Sequence, residues 1–175
     1  MSSIESYRSI FGLEARTAIV TGGSRGIGKA LCEELAAHGA DVAIVVRSSV
    51  DRAELVAKGI RAAGRDAMVI KADISNEVDV QSMTDEVMRR WGRIDILVNN
   101  AGIILPTATE NCSIDDWRRT MAVNLDGVYM WAKGAVQNRI GSVEELVGAT
   151  VYLASDAASF TTGEIITIDG GLTLR

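Results

Sequence analysis

Thr21-Gly22-Gly23-Ser24-Arg25-Gly26-Ile27-Gly28 is the stretch that decides the fold. Immediately before it, residues 17–21 (TAIVT) form a short apolar, β-branched run that reads as a fully buried strand. Immediately after it, Ile27, Ala30, Leu31, Leu35 and Ala36 recur at helical spacing as far as His38, and Gly39 stands where a helix stops. Glycine allows a tight turn and lets an anion come close to the backbone, and a helix amino terminus presents the positive end of its dipole there. The spacing is Gly-x-x-x-Gly-x-Gly rather than the more general Gly-x-Gly-x-x-Gly. Its position between a strand and a helix is the context in which such a turn cradles the pyrophosphate of a dinucleotide.

The same alternation continues outward. Asp41 to Val46 reads as a second buried strand, residues 50–63 as an Ala-rich helix ending at Gly64, and Ala67 to Lys71 as a third strand. Asn76 to Trp91 reads as a helix with Val80, Met83, Val87 and Met88 on one side, and Ile94 to Val98 as a fourth strand. Buried strands alternating with amphipathic helices predict an α/β fold with a parallel sheet covered on both faces. Ser113 to Lys133 is expected to be helical, as two helices broken near Asn124. Ser142 with Glu145 makes a capping box opening a further helix through Val147, Val151, Tyr152 and Leu153, and Glu164 to Ile168 reads as a last strand before Asp169-Gly170-Gly171. Between Lys133 and Gly141 no strand intervenes where one is expected. No repeat or linker divides the chain, so residues 1–175 read as one domain, 12–133 its cofactor-binding portion and 134–175 its carboxyl-terminal helix and strand.

Composition narrows the function classes. The chain has 175 residues, 47% of them apolar, enough for a core and too many for a disordered chain. With 23 acidic against 18 basic residues, a net charge of −5 and no Lys/Arg block, neither nucleic acid nor an anionic membrane is the expected partner. No apolar run approaches the roughly 20 residues needed to span a bilayer, and the amino terminus, with Glu5 and Arg8, does not read as a secretory signal. Cys32 and Cys112 make no disulfide framework and suit a reducing cytoplasm. Average usage predicts about eight or nine prolines; Pro106 is the only one, as though a proline-bearing segment were missing.

The glycine turn together with Asn99-Asn100-Ala101-Gly102 resembles the short-chain dehydrogenase/reductase family, in its branch of single-domain NAD(P)-dependent alcohol, sugar and oxoacyl reductases. Asp73 after the third strand, Val123-Asn124-Leu125-Asp126-Gly127 and the tail from Thr161 to Gly171 extend the resemblance from about residue 12 to the end. It implies a Rossmann-like, doubly wound sheet with the cofactor at the carboxyl ends of the strands. It further implies that Gly22, Gly26 and Gly28 form the cofactor turn, that Ser24, Arg25 and Ile27 contact phosphate and ribose, that Asp73 and Ile74 flank the adenine, and that Asn100, Ala101 and Gly102 line the cleft. A homodimer or homotetramer is the assembly the family suggests.

About 20 residues past such a turn, a carboxylate binds the ribose 2′-hydroxyl of NAD, whereas an arginine accommodates the 2′-phosphate of NADP. Here the second strand ends on Val46 and Arg47 with no carboxylate, and Arg25 is a second cation nearby. NADP is therefore the expected cofactor, with NAD the alternative if Arg47 is only a solvated loop residue.

The resemblance also shows what is lacking. The family transfers a hydride between nicotinamide and a carbonyl or hydroxyl carbon, with a Tyr as proton donor, a Lys four residues on that lowers its pKa, and a Ser that holds the substrate oxygen. That Ser ends a fifth strand, and the Tyr-x-x-x-Lys pair lies on the next helix. Strands five and six and the helix between them have no counterpart here. Tyr129 and Lys133 reproduce the spacing, but only five residues after Asn124, on the wrong helix; they are decoys, with Tyr129 and Trp131 expected as core or interface aromatics and Lys133 solvated. Asn124 alone of the catalytic set is present, and its family role is to hold a water linking the Lys to solvent. His38 reads as a helix-end or surface residue, Asp115-Asp116 as helix-start carboxylates, Cys32 as core, and no residues cluster as metal ligands. Trp91, Trp117 and Trp131 are too scattered to form a stacking platform for bases. The expected activity is NAD(P)-dependent oxidoreduction of a small carbonyl or hydroxyl compound, a sugar or polyol among the candidates. The alternatives are a catalytically incompetent nucleotide-binding remnant, or an enzyme whose catalytic segment lies outside this sequence; the intact mass, 18.7 kDa for this chain, separates the last case.

Overall fold

A computed structural model of the chain describes residues 11–104 and 111–132, with isolated positions at 149, 152, 158, 160, 161 and 166. Gly12–Trp131 forms one compact unit, and Met1–Phe11 with Ala132–Arg175 a second.

In the first unit the elements run β1 (Thr17–Thr21), α1 (Gly26–Ala37), β2 (Asp41–Val46), α2 (Val50–Ala62), β3 (Ala67–Lys71), α3 (Glu77–Trp91), β4 (Ile96–Val98), α4 (Ile114–Met121), a π-helical turn (Ala122–Asp126) and α5 (Gly127–Ala132). The sheet order is β3-β2-β1-β4, and every pairing is parallel. Thr17 to Thr21 pair with Asp41 to Val45, and Ala18 to Val20 with Ile96 to Val98. This is the Rossmann-like, doubly wound arrangement the sequence predicts. Period-two alternation divides the core between the faces. Ile19, Ala43, Val45 and Ile70 pack with Val80, Met83 and Val87 of α3. Val20, Val42, Ile44 and Val46 pack with Cys32 and Ala36 of α1 and with Ala53, Val56, Ala57 and Ile60 of α2. Cys32 is fully buried, and burial pushes its thiol up to about 12.

Three sequence expectations need correction. The fourth strand begins at Ile96, not Ile94. Asp95 explains this: its carboxylate accepts the Thr17 N–H at 2.9 Å and pairs with Arg16 and Arg93, so a side chain occupies the first rung on that edge. The helix does not break at Asn124; it passes through a π turn and continues. Tyr129 is 64% exposed, so of the two places expected for it, core or interface, the core is excluded. The helix predicted from Ser142 falls almost wholly outside the described residues. So does the strand predicted over 164–168, of which Ile166 alone is described, exposed and not in a strand. Among the described residues four strands are present and β4 lies at the sheet edge.

Candidate functional site

The carboxyl ends of β1, β2 and β3 and the loop after β4 enclose a cleft of about 330 Å³, within the size range of small-molecule sites. β1 enters it through the glycine turn. Gly22 has φ +72°, in the left-handed region where a Cβ is strained. A Cβ on Gly28 would collide with the Gly22 carbonyl and approach Asn100 Nδ2 to 2.5 Å, so α1 can begin this close to β1 only with glycine there.

The β4 loop is fastened to the same turn. The Thr21 hydroxyl, fully buried, donates to the Val98 carbonyl at 3.2 Å and accepts from the N–H groups of Asn100 and Ala101 at 3.1 and 3.0 Å. Asn100 Nδ2 donates back to the Thr21 carbonyl at 2.9 Å. Further along, Asn124 in the π turn clasps Ile103, accepting its N–H and donating to its carbonyl, both at 2.9 Å. Both ends of the Asn124 amide are thereby engaged with backbone. A π turn is a frequent device at functional sites, and here it aims Asn124 at the loop that forms the cleft wall.

Four helix starts divide by what satisfies them. α3 is capped by Asn76, which accepts from Val78 and Asp79, and α4 by Ser113, which accepts from Asp116. α1 and α2 have no side-chain cap, and the residues just before them, Arg25 and Ser49, line the cleft. A helix start without a side-chain cap suits an anion, although α2 has Asp51 in its first turn. α1 carries no acidic residue in its first turn to compete.

Among the sequence-predicted residues, Gly22, Ser24, Arg25, Arg47, Asp73, Ile74, Asn100, Ala101 and Gly102 line the cleft together. Gly26, Ile27, Gly28 and Asn124 lie outside its lining; Ile27 is 74% exposed at the start of α1. Asp73 accepts from the Ser75 hydroxyl at 2.6 Å and amide at 3.0 Å, which with the nearby Arg47 guanidinium holds its carboxyl below the usual range. Together with Val45, Val46 and Ala72, the cleft is also lined by Ser48, Ser49, Ile103 and Val123, which sequence reading missed. Ser49 carried a usable signal, a serine directly before an Ala-rich helix. The other three had none, because their place depends on partners distant in sequence. Lys133 falls outside the described residues, and Tyr129 does not line the cleft. His38 ends α1, its Nδ1 2.9 Å from the Glu34 carbonyl, as a helix-end residue should. No three potential metal ligands converge among the described residues.

The model of the short chain dehydrogenase family matches residues 16–165. The chain belongs to the short-chain dehydrogenase family. It is 33% identical over 143 residues to a 3beta-hydroxysteroid dehydrogenase of Eggerthella lenta, covering 82% of this chain and 54% of that one. A short-chain dehydrogenase of Burkholderia cenocepacia, solved in complex with NADP, is 45% identical with a TM-score of 0.68, over 70% of this chain and 50% of its own. A 3-ketoacyl-(acyl-carrier-protein) reductase of Brucella melitensis, solved with NADH, is 36% identical with a TM-score of 0.65, over 71% of this chain and 50% of its own. The chain spans between 49% and 66% of the length of curated relatives it matches.

Proposed function

We propose that the cleft binds NADP in preference to NAD and that residues 12–133 are the cofactor-binding portion of an oxidoreductase. The substrate is a small carbonyl or hydroxyl compound, with sugars and polyols the first class to try, and the setting a cytoplasmic homodimer or homotetramer. The observation that carries this reading is the cleft's anion chemistry. Arg25 and Arg47 both line the cleft, Arg25 and Ser49 stand directly before helices with no side-chain cap, and β2 ends on Val46 without a carboxylate. Gly22 and Gly28 let β1, α1 and the loop after β4 pack closely around the turn, as a pyrophosphate-binding turn requires. When bound, the nicotinamide supplies the hydride; the protein's part is to seat the phosphates on α1, hold the ribose end against Arg47, and fix the wall through Asn100 and Asn124.

A second reading, nucleotide binding without turnover, is favoured by Tyr129. It belongs to the one Tyr-x-x-x-Lys pair in the sequence, yet it is exposed and absent from the cleft lining. Fluorescence titration with NADPH and NADH, on protein of confirmed mass, tests the cofactor claim; binding of neither refutes it. NADPH oxidation against ketoses, diketones and oxoacyl esters then separates the two readings. Turnover at several per second supports the enzyme, and binding without turnover supports the second reading. Turnover abolished by Tyr129→Phe would show that the pair is the catalyst after all.

A further inference from the structure

Gly127 is buried in ordinary right-handed helical conformation, φ −58° and ψ −43°. Nothing in its backbone requires glycine, and glycine within a helix is less favourable than alanine. The space answers for it. A Cβ there would come within 3.0 Å of the Ile74 carbonyl oxygen and 3.4 Å of Ile74 Cγ1 and Cδ1. Ile74 is 7% exposed, packs in one core cluster with Val123, and lines the cleft beside Ala72 and Asp73. Val123 lines the same cleft from the π turn that the Gly127 N–H closes by donating to the Ala122 carbonyl. The absent side chain therefore sets how near the α4–α5 rod comes to the loop after β3, and both carry cleft wall.

We propose that Gly127 is a positioning residue for cofactor binding: its missing Cβ fixes the wall formed by Ala72, Asp73 and Ile74 at the distance the nucleotide requires. This rests on the cleft being a dinucleotide site. Gly127→Ala adds one carbon that the loop accommodates only by moving a few tenths of an ångström. Inserting one carbon into a packed contact is costly, and with that strain falling on the cleft wall NADPH affinity should drop on the order of five- to tenfold. Gly59, in the last turn of α2 with nothing within 4 Å of its Cβ position, is the control. Gly59→Ala should raise the Tm and leave binding unchanged, since only helix propensity is altered.

The experiment uses the full chain at a temperature where every variant is folded. NADPH titration is paired with NMR of the Ile74 δ1-methyl and Asp73 amide in the ligand-free protein. A loss of affinity in Gly127→Ala, with both signals shifted and Gly59→Ala unaffected, is the expected result. Gly127→Ala that is folded and binds NADPH as tightly as the unaltered chain overturns the proposal. If that variant does not fold, Gly127→Ala/Ile74→Ala, which lacks the two carbons at 3.4 Å, replaces it. It must bind more weakly than Ile74→Ala alone, and equal binding overturns the proposal. Failure of the unaltered chain to bind NADPH refutes the dinucleotide reading instead, and the positioning role with it; the NMR shifts then report packing alone.

Discussion

Replacing Thr21 by valine keeps the side chain's shape and removes its hydroxyl. That hydroxyl is fully buried and joins the end of β1 to the end of β4 through Val98, Asn100 and Ala101. The losses are unequal. The Asn100 N–H keeps a second acceptor in the Val98 carbonyl at 3.1 Å, so it is weakened rather than stranded. The Ala101 N–H loses its acceptor, and a stranded amide of this kind costs about 1–3 kcal/mol. With a smaller contribution from the other two bonds, Thr21→Val should destabilise the chain by about 2–3 kcal/mol. With a urea m-value of about 2 kcal/mol/M, the unfolding midpoint should drop by about 1 M, with m unchanged. Thr21→Ser restores the hydroxyl and should recover most of the loss. The cleft should suffer too, because Ala101 would lose its tie to the glycine turn and Asn100 would keep its own only through its side chain, which donates to the Thr21 carbonyl. NADPH affinity should therefore fall in Thr21→Val at urea concentrations where it is still folded. A valine variant whose midpoint moves by less than about 0.2 M, or a serine variant as unstable as the valine, would refute the reasoning.

Arg47→Asp should reverse the cofactor preference: removing a charged partner of a phosphate costs about 1.5–3 kcal/mol, roughly tenfold or more in NADPH affinity, and parallel NADPH and NADH titrations read it. Gly28→Ala should abolish NADPH binding in calorimetry and lower the melting temperature, since its Cβ meets the Gly22 carbonyl backbone and not a yielding side chain. Asp95 is held down to about 2 by its hydrogen bonds from Arg93, then by the Thr17 N–H and Arg16. Its folded pKa lies below the unfolded value of about 4, so its contribution is present above pH 4 and is lost as pH falls toward 2. Asp95→Asn should thus cost about 1–2 kcal/mol at pH 7, solvent screening at the half-exposed arginines reducing the effect, and flatten the stability profile between pH 4 and 2; urea midpoints across that range check it.

The first three strands were legible to the residue because their apolar runs are buried on both faces in β1 and β2 and partly so in β3, and a strand sealed on both sides has a sequence unlike a helix. One-sided apolar spacing through Val80, Met83 and Val87 did the same for α3, whose start Asn76 caps by accepting from Val78 and Asp79. The start of β4 was not legible, because Asp95 reaches Thr17, 78 residues away in the chain, and no local pattern announces it. The π turn was half legible. Asn124 marks an interruption, but whether the helix breaks or widens depends on Ile103, 21 residues earlier. In the cleft, the glycine turn, Arg47, Asp73 and Asn100 could be found from spacing and resemblance. Ser48 and Val123 could not, since they face the cleft only through the pairing of β2 with β1 and the course of the π turn.

Asp41 opens β2, while Asp66 and Asp95 immediately precede β3 and β4. Each is paired with an arginine, Arg65, Arg90 and Arg93 in turn, and Trp91 adds a third bond to Asp66. All of this ionic fastening gathers at the sheet end remote from the cleft, where glycine and backbone amides prevail instead. Acid should therefore loosen the molecule from its base upward. Laboratory evolution could harden that base by trading residues there, leaving the ligand-facing rim free to change its preferences.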